Sequence, residues 1–179
     1  MTVTVECRAA QTRDAPNMAE LIARCNEGYK TWAPAGWNAP GAIAEREEMH
    51  LTQRLADPSV CTLVAMKGNQ LIAFAMWAPS RRTPGVADLS LLFVDPVSWG
   101  IGLGRQLLLE AEQSMLKASF SQAELWVPVA NARARRLYGR NGWRETSESR
   151  DHPLLGFELR RYQRSLTGND AISVVPLTS

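Results

Sequence analysis

Apolar and polar residues alternate over residues 3–7, a period of two that predicts a short, half-covered strand. The period then changes. Met18, Leu21, Ile22, Cys25 and Tyr29 recur at intervals of three and four, which sets them on one face of a helix that Thr12 or Asp14 can cap. The Pro, Gly and Trp residues of 31–41 end that pattern. A second, highly charged helix is predicted over 42–55, stopped by Asp57-Pro58. Strands at 60–66 and 71–77 flank Lys67-Gly68-Asn69-Gln70, a hairpin signal. After a loop at 79–85 comes an apolar strand over 89–94, then a glycine-rich turn. A helix to about 117 buries Leu107, Leu108, Ala111 and Met115, and a strand reaches 127. A helix over 130–141 and strands near 143–146 and 156–164 complete the order β-α-α-β-β-β-α-β-α-β-β.

At 179 residues the chain is long enough to bury a substantial core as one domain. Basic residues exceed acidic ones by only two, with the signs interspersed, which gives no argument for a nucleic-acid or membrane partner. The densest basic run, 133–140, reads as a solvated helix face. Cys7, Cys25 and Cys61 share no metal or redox spacing and read as reduced thiols. The start lacks a basic then apolar leader, and no apolar run reaches membrane-spanning length. The expectation is a soluble, cytoplasmic protein, monomer or homodimer, with no metal.

The chemistry concentrates in Asp95-Pro96-Val97-Ser98-Trp99-Gly100-Ile101-Gly102-Leu103-Gly104-Arg105. Glycines between a strand and a helix let backbone N–H groups converge at the positive end of the helix, a site for phosphate. A P-loop would need Gly-Lys-Ser/Thr, but Gly104 is followed by Arg105-Gln106. A dinucleotide fingerprint starting at Gly100 would need glycine where Arg105 stands. The remaining pattern, Arg/Gln-x-x-Gly-x-Gly, resembles the acetyl-CoA pyrophosphate loop of the GCN5-related N-acetyltransferases (GNAT family), with Trp99 in the first position. A second stretch, Asn131-Ala132-Arg133-Ala134-Arg135-Arg136-Leu137-Tyr138 through Gly142-Trp143, resembles the same family's later motif.

The resemblance covers about residues 3–164 and implies that 1–164 form a single acetyltransferase domain. It implies an α/β (α+β) fold, with a mixed, mostly antiparallel sheet of about seven strands flanked by helices. Residues 165–179 fall outside it as a tail, in which 172–175 could form a spare strand. By the same resemblance acetyl-CoA is the cofactor, and its pyrophosphate meets Trp99, Gly100, Ile101, Gly102, Leu103, Gly104 and Arg105. Backbone groups of Leu92, Phe93 and Val94 would grip the pantetheine arm where two strands splay. Pro128, unable to donate a ladder hydrogen bond, fits a strand that stops pairing there. Asn131 would cap its helix, contact pantetheine, or both.

Tyr138 matches the family's tyrosine facing the sulfur and can donate a proton to a departing thiolate. Asp88, at the start of the central strand where relatives often carry Glu, is the candidate base and acceptor-binding residue. Trp32, Trp37 and Trp77 are candidate acceptor contacts, through stacking or attraction of a cation. Glu45, Glu47 and Glu48 could attract a cationic amine. The function implied is acetyl transfer to a primary amine of a small molecule by direct attack on the thioester. Two alternatives stay open: acetylation of a protein N-terminus or lysine, and a non-catalytic acyl-CoA-binding module.

Overall fold

The computed structural model describes residues 5–33, 35, 43–152 and 156–167. Trp37 and the strand expected at 172–175 lie outside them, as does the side chain of Glu45. Seven strands form one sheet, β1 (Val5–Ala9), β2 (Cys61–Lys67), β3 (Gln70–Pro79), β4 (Ala87–Val94), β5 (Gln122–Pro128), β6 (Arg144–Asp151) and β7 (Glu158–Ser165), in the spatial order β1-β2-β3-β4-β5-β7-β6. Helices α1 (Ala15–Tyr29) and α2 (Ile43–Ala56) serve one face; α3 (Leu103–Lys117) and α4 (Ala132–Arg140) serve the other. The element order is the one the sequence predicts.

β3 is buried continuously from Leu71 to Trp77 because both of its faces carry a core. On the α1 side Phe74 and Met76 meet Met18, Leu21 and Leu51. On the α3 side Ala75 and Trp77 meet Leu107, Leu108 and Met115. Asp14 stands just before α1 but does not cap it; its carboxylate is held by the Arg8 guanidinium at 2.8 Å and accepts from the Gln11 N–H at 2.7 Å.

All strand pairs are antiparallel except β4 with β5, and that parallel ladder is only two residues long, Ala87 with Ala123 and Asp88 with Glu124. Beyond Asp88 the two strands separate. A bulge lies beside the vertex: Leu91 pairs with Met76 and Leu89 with Trp77, so Ser90 is the extra residue. Leu92 and Val94 face the α3 core, and alternation alone would send Asp88 to the same side. The extra residue reverses that parity and turns Asp88 toward α2.

Pro128 does not end pairing. It sits opposite Leu159, and the next N–H, of Val129, donates to Glu158 O at 2.9 Å. By alternation its missing N–H faces the gap, where no ladder asks for a donor. β4, not β5, is the strand that departs.

Candidate active site

The gap between β4 and β5 opens into a cavity of about 800 Å³ lined from β4, the glycine loop, α4 and the end of α1. Its β4 wall is a strand edge. Asp95 N–H donates to Ile72 O, which makes Phe74–Phe93 a hydrogen-bonded pair of the β3 ladder and turns the backbone groups of Leu92 and Val94 toward the gap. Phe93 therefore lines the cavity with its backbone already engaged, a correction to its expected role. The Val94 carbonyl also has partners, accepting from the Trp99 indole N–H at 2.9 Å and the Cys25 thiol at 3.4 Å.

At the cavity mouth α3 begins. Gly102 has a φ of +86°, a left-handed conformation that favours glycine, and the first helical bond runs from Gln106 N–H to Gly102 O. The N–H groups of Leu103, Gly104 and Arg105 precede that bond and have no intrahelical acceptor. They form a cradle at the positive end of a helix 15 residues long. Gly100, Gly102, Leu103, Gly104 and Arg105 line the cavity, whereas Ile101 is 58 % exposed and is not part of the lining.

Trp99 lines the mouth. The Arg133 guanidinium lies 4.0 Å from its ring centroid, and on the other side a Cβ added at Gly28 of α1 would lie 3.6 Å from the indole. Trp99 thus spans from α4 to α1 and brings a guanidinium over the loop. Asn131 caps α4, its side chain accepting from Ala134 N–H at 3.1 Å, and it also lines the cavity.

Tyr138 is 7 % exposed and stands in the cavity wall, packed on Trp143 and Tyr162. Burial pushes its phenol pKa well above the usual value, with a smaller contribution from Tyr29, so it keeps its proton at any physiological pH. Burial also lifts the Cys25 thiol to about 12, so the one cysteine in the cavity wall holds no thiolate at neutral pH.

Asp88 is not part of the cavity lining; it sits at the vertex of the gap, on the α2 face. Burial raises its carboxyl to about 6, and Glu124 adds to the shift while Arg54 and Arg150 oppose it. No sequence motif marks Arg54 and Arg150, which the fold brings to face Asp88, or Arg82 and Arg150 at Trp126 and Arg161 at Glu124 beside it. Among the described residues, no group of His, Cys, Asp and Glu is suited to hold a metal.

The tryptophans divide. Trp32 stacks with Tyr29 and Phe157, at centroid distances of 4.7 and 5.2 Å, and lines the cavity. Trp77 does not reach it. The bulge-side register turns Trp77 into the α3 core, where it is 2 % exposed, packs edge-on against Phe120 and donates to Ser114 Oγ at 3.3 Å. Its expected place in acceptor binding is therefore corrected to a packing one. Trp77→Ala is expected to cost about 3–5 kcal/mol in urea unfolding, the usual loss for an emptied aromatic site, with acceptor KM unmoved. A selective change in acceptor KM without loss of stability would contradict this. On α2, Glu47 is half-buried and Glu48 exposed, and neither lines the cavity.

A split sheet with an anion cradle at the mouth of the split is the fold of the acetyltransferases that bind coenzyme A. The chain belongs to the Acetyltransferase (GNAT) family, whose model matches residues 19–143. It is similar in fold to the PaiA N-acetyltransferase of Thermoplasma acidophilum, solved in complex with coenzyme A, with a TM-score of 0.66, 20 % identity, and 90 % of this chain and 99 % of that one covered. It is similar also to an acetyltransferase of Thermus thermophilus, with a TM-score of 0.69, 23 % identity, and 92 % and 99 % covered. In sequence it is 36 % identical over 89 residues to mycothiol acetyltransferase of Beutenbergia cavernae; the match spans 49 % of this chain and 29 % of that protein. Among the described residues no helix is long and apolar enough to cross a membrane.

Proposed function

We propose that this chain is an acetyl-CoA-dependent N-acetyltransferase acting on the primary amine of a small molecule. The observation that carries the reading is one continuous cavity joining the α3 cradle, the β4 edge that no strand covers and the Tyr138 side chain. The residues fit the coenzyme. Three orphan N–H groups suit a pyrophosphate, and the edge at Leu92 and Val94 suits an extended amide-bearing arm added like a strand. Arg133, stacked on Trp99, brings a cation to the loop whose usual Arg or Gln is replaced by Trp99.

Acetyl-CoA supplies the acetyl group as an activated thioester. This chain's groups do the rest. Asp88 accepts a proton from the incoming ammonium, directly or through water, and so presents a neutral amine. Tyr138 holds its proton at Oη for the departing sulfur. With Cys25 protonated, no thiolate of the cavity wall competes as a nucleophile, which favours direct transfer. The tryptophan wall at Trp32, closed by Tyr29 and Phe157, favours a small acceptor over an open groove for a protein chain.

Gly104→Ala tests the cradle. The added Cβ would meet Leu137 and Val94 at 3.5 Å, ordinary contact, and Gly104 lies within α3 without a left-handed φ. Folding is expected to gain up to about 0.5–1 kcal/mol. Acetyl-CoA affinity by calorimetry is expected to fall, because the methyl crowds the cradle. Transfer to a panel of amines, read by mass, should fall with it. Unchanged affinity in the folded variant would remove the cradle from the coenzyme site.

A further inference from the structure

The polar side of the β4–β5–β7 junction gathers several arginines that make no ion pair within 4.0 Å among the described residues. Alternation puts Glu124 and Trp126 of β5 on the face opposite the α3 core, the face to which the Ser90 bulge turns Asp88. Glu124, 1 % exposed, is fully engaged: it accepts from Ser80, Thr83 and the Arg161 guanidinium. Arg161 is held in turn by Glu148 as well. The Arg161 charge is thus already matched by Glu124 and Glu148.

Three arginines beside it have no carboxylate of their own. Arg150 lies with its guanidinium 4.2 Å from the centroid of Trp126, and Arg82 lies 5.1 Å from the same ring. The Nε of Arg150 is buried and makes no hydrogen bond. Arg54 reaches in from α2, donating to Ser90 Oγ at 2.8 Å. Among the described residues none of the three has an ion-pair partner within 4.0 Å; Asp88 faces both Arg54 and Arg150, Asp57 lies toward Arg54 and Glu124 toward Arg150, and Arg81 adds a further positive charge near Arg54.

A simple alkylammonium approaching Asp88 would meet these guanidiniums and be repelled. An acceptor that brings its own anionic oxygens would instead complete the charge balance and give the buried Arg150 Nε an acceptor. Guanidinium forks match planar or tetrahedral oxyanions in paired hydrogen bonds. We propose that the acceptor is an amine bearing an oxyanion a few bonds from its nitrogen, such as an amino acid, and that Arg150, with Arg82 and Arg54, holds the oxyanion while Asp88 faces the amine. This rests on the acetyl-transfer reading above and narrows its substrate class.

The test pairs acceptors that differ only in the anionic group. Methionine and 3-(methylthio)propylamine, and phenylalanine and phenethylamine, are offered with acetyl-CoA; the 1-aminoalkylphosphonate of each amino acid distinguishes phosphonate from carboxylate. The wild type is expected to favour the anionic member by at least about tenfold in kcat/KM, the scale of one desolvated charge contact. Arg150→Met should raise the KM of that member about 10–100-fold, spare acetyl-CoA KM, and raise kcat/KM for the bare amine as repulsion is removed. Arg150→Lys should recover part of the loss. Equal use of both members, preference for the bare amine or for a peptide N-terminus, or equal effects of Arg150→Met on both would overturn the proposal. If nothing is acetylated although acetyl-CoA binds, the transfer reading fails, and the subsite is decided by calorimetry with N-acetylmethionine. Binding lost in Arg150→Met supports the subsite, and absence of binding to the wild type refutes it.

Discussion

Tyr138→Phe is expected to slow acetyl transfer in single turnover by about 10²–10⁴-fold, the range typical of a lost general acid. The substitution keeps the ring that packs on Trp143 and Tyr162 and removes only the hydroxyl. Melting temperature and acetyl-CoA affinity should therefore survive, because a proton delivered to the leaving group matters most in the transition state. The sign of the pKa shift points the same way. Burial holds the phenol above its usual pKa, so Tyr138 stays protonated over the whole working range, as the proposed donor role requires. No alkaline limb from this residue should be seen below about pH 10, the ordinary phenol value. Single-turnover measurement is essential, since product release can limit kcat and hide a slower chemical step. A wild-type rate for the chemical step in Tyr138→Phe would make Tyr138 a packing residue, with water as the proton source.

What could be read from the chain follows from which features are local. The glycine loop and the Asn131-to-Tyr138 helix are contiguous, so their chemistry is visible in one dimension, and the structure sets both motifs around one cavity. The helices show because each buries one regular face, as Met18, Leu21, Ile22 and Cys25 do in α1. β6 was legible only at its start. Its later residues, Glu145 to Asp151, are nearly all polar, because an edge strand wet on both faces keeps no apolar alternation. Trp77 misled for the opposite reason. A tryptophan beside a loop looks available, but its register opposite Leu89 turns it inward.

The acceptor side was the least legible. Ser90 carries no turn signal, yet as the extra residue of a bulge it decides which face Asp88 occupies. Arg54, Arg82 and Arg150 lie nearly a hundred residues apart at the extremes and meet only through the order of strands in the sheet. Pairwise sequence patterns cannot reveal a cluster of unpaired arginines assembled in this way. The proposed coenzyme side is a local motif and the proposed acceptor side is a product of topology, an arrangement in which one fold can keep its donor and vary its acceptor.

Asp88→Asn carries the second large effect and tests the acceptor side directly. Asn keeps the size and polarity of the side chain but cannot take the proton that the ammonium must lose. Acetyl transfer at about pH 8 is expected to fall by about 10²–10⁴-fold, as for other lost general bases. In the wild type Asp88 is ionised above its pKa of about 6, so kcat/KM should decline as pH drops through 6, and that bend should vanish in the variant. Stability should move the other way. The folded carboxyl pKa lies above the ordinary 3.8, so its contribution to stability is full below about pH 4 and is lost as pH rises through about 6. At about pH 8 the buried charge is a cost that Asn does not carry, and the variant should melt no lower than the wild type. A lower melting temperature matched by a general loss of both substrates would make Asp88 structural. A wild-type rate at that pH with the bend near 6 intact would assign the base to another group.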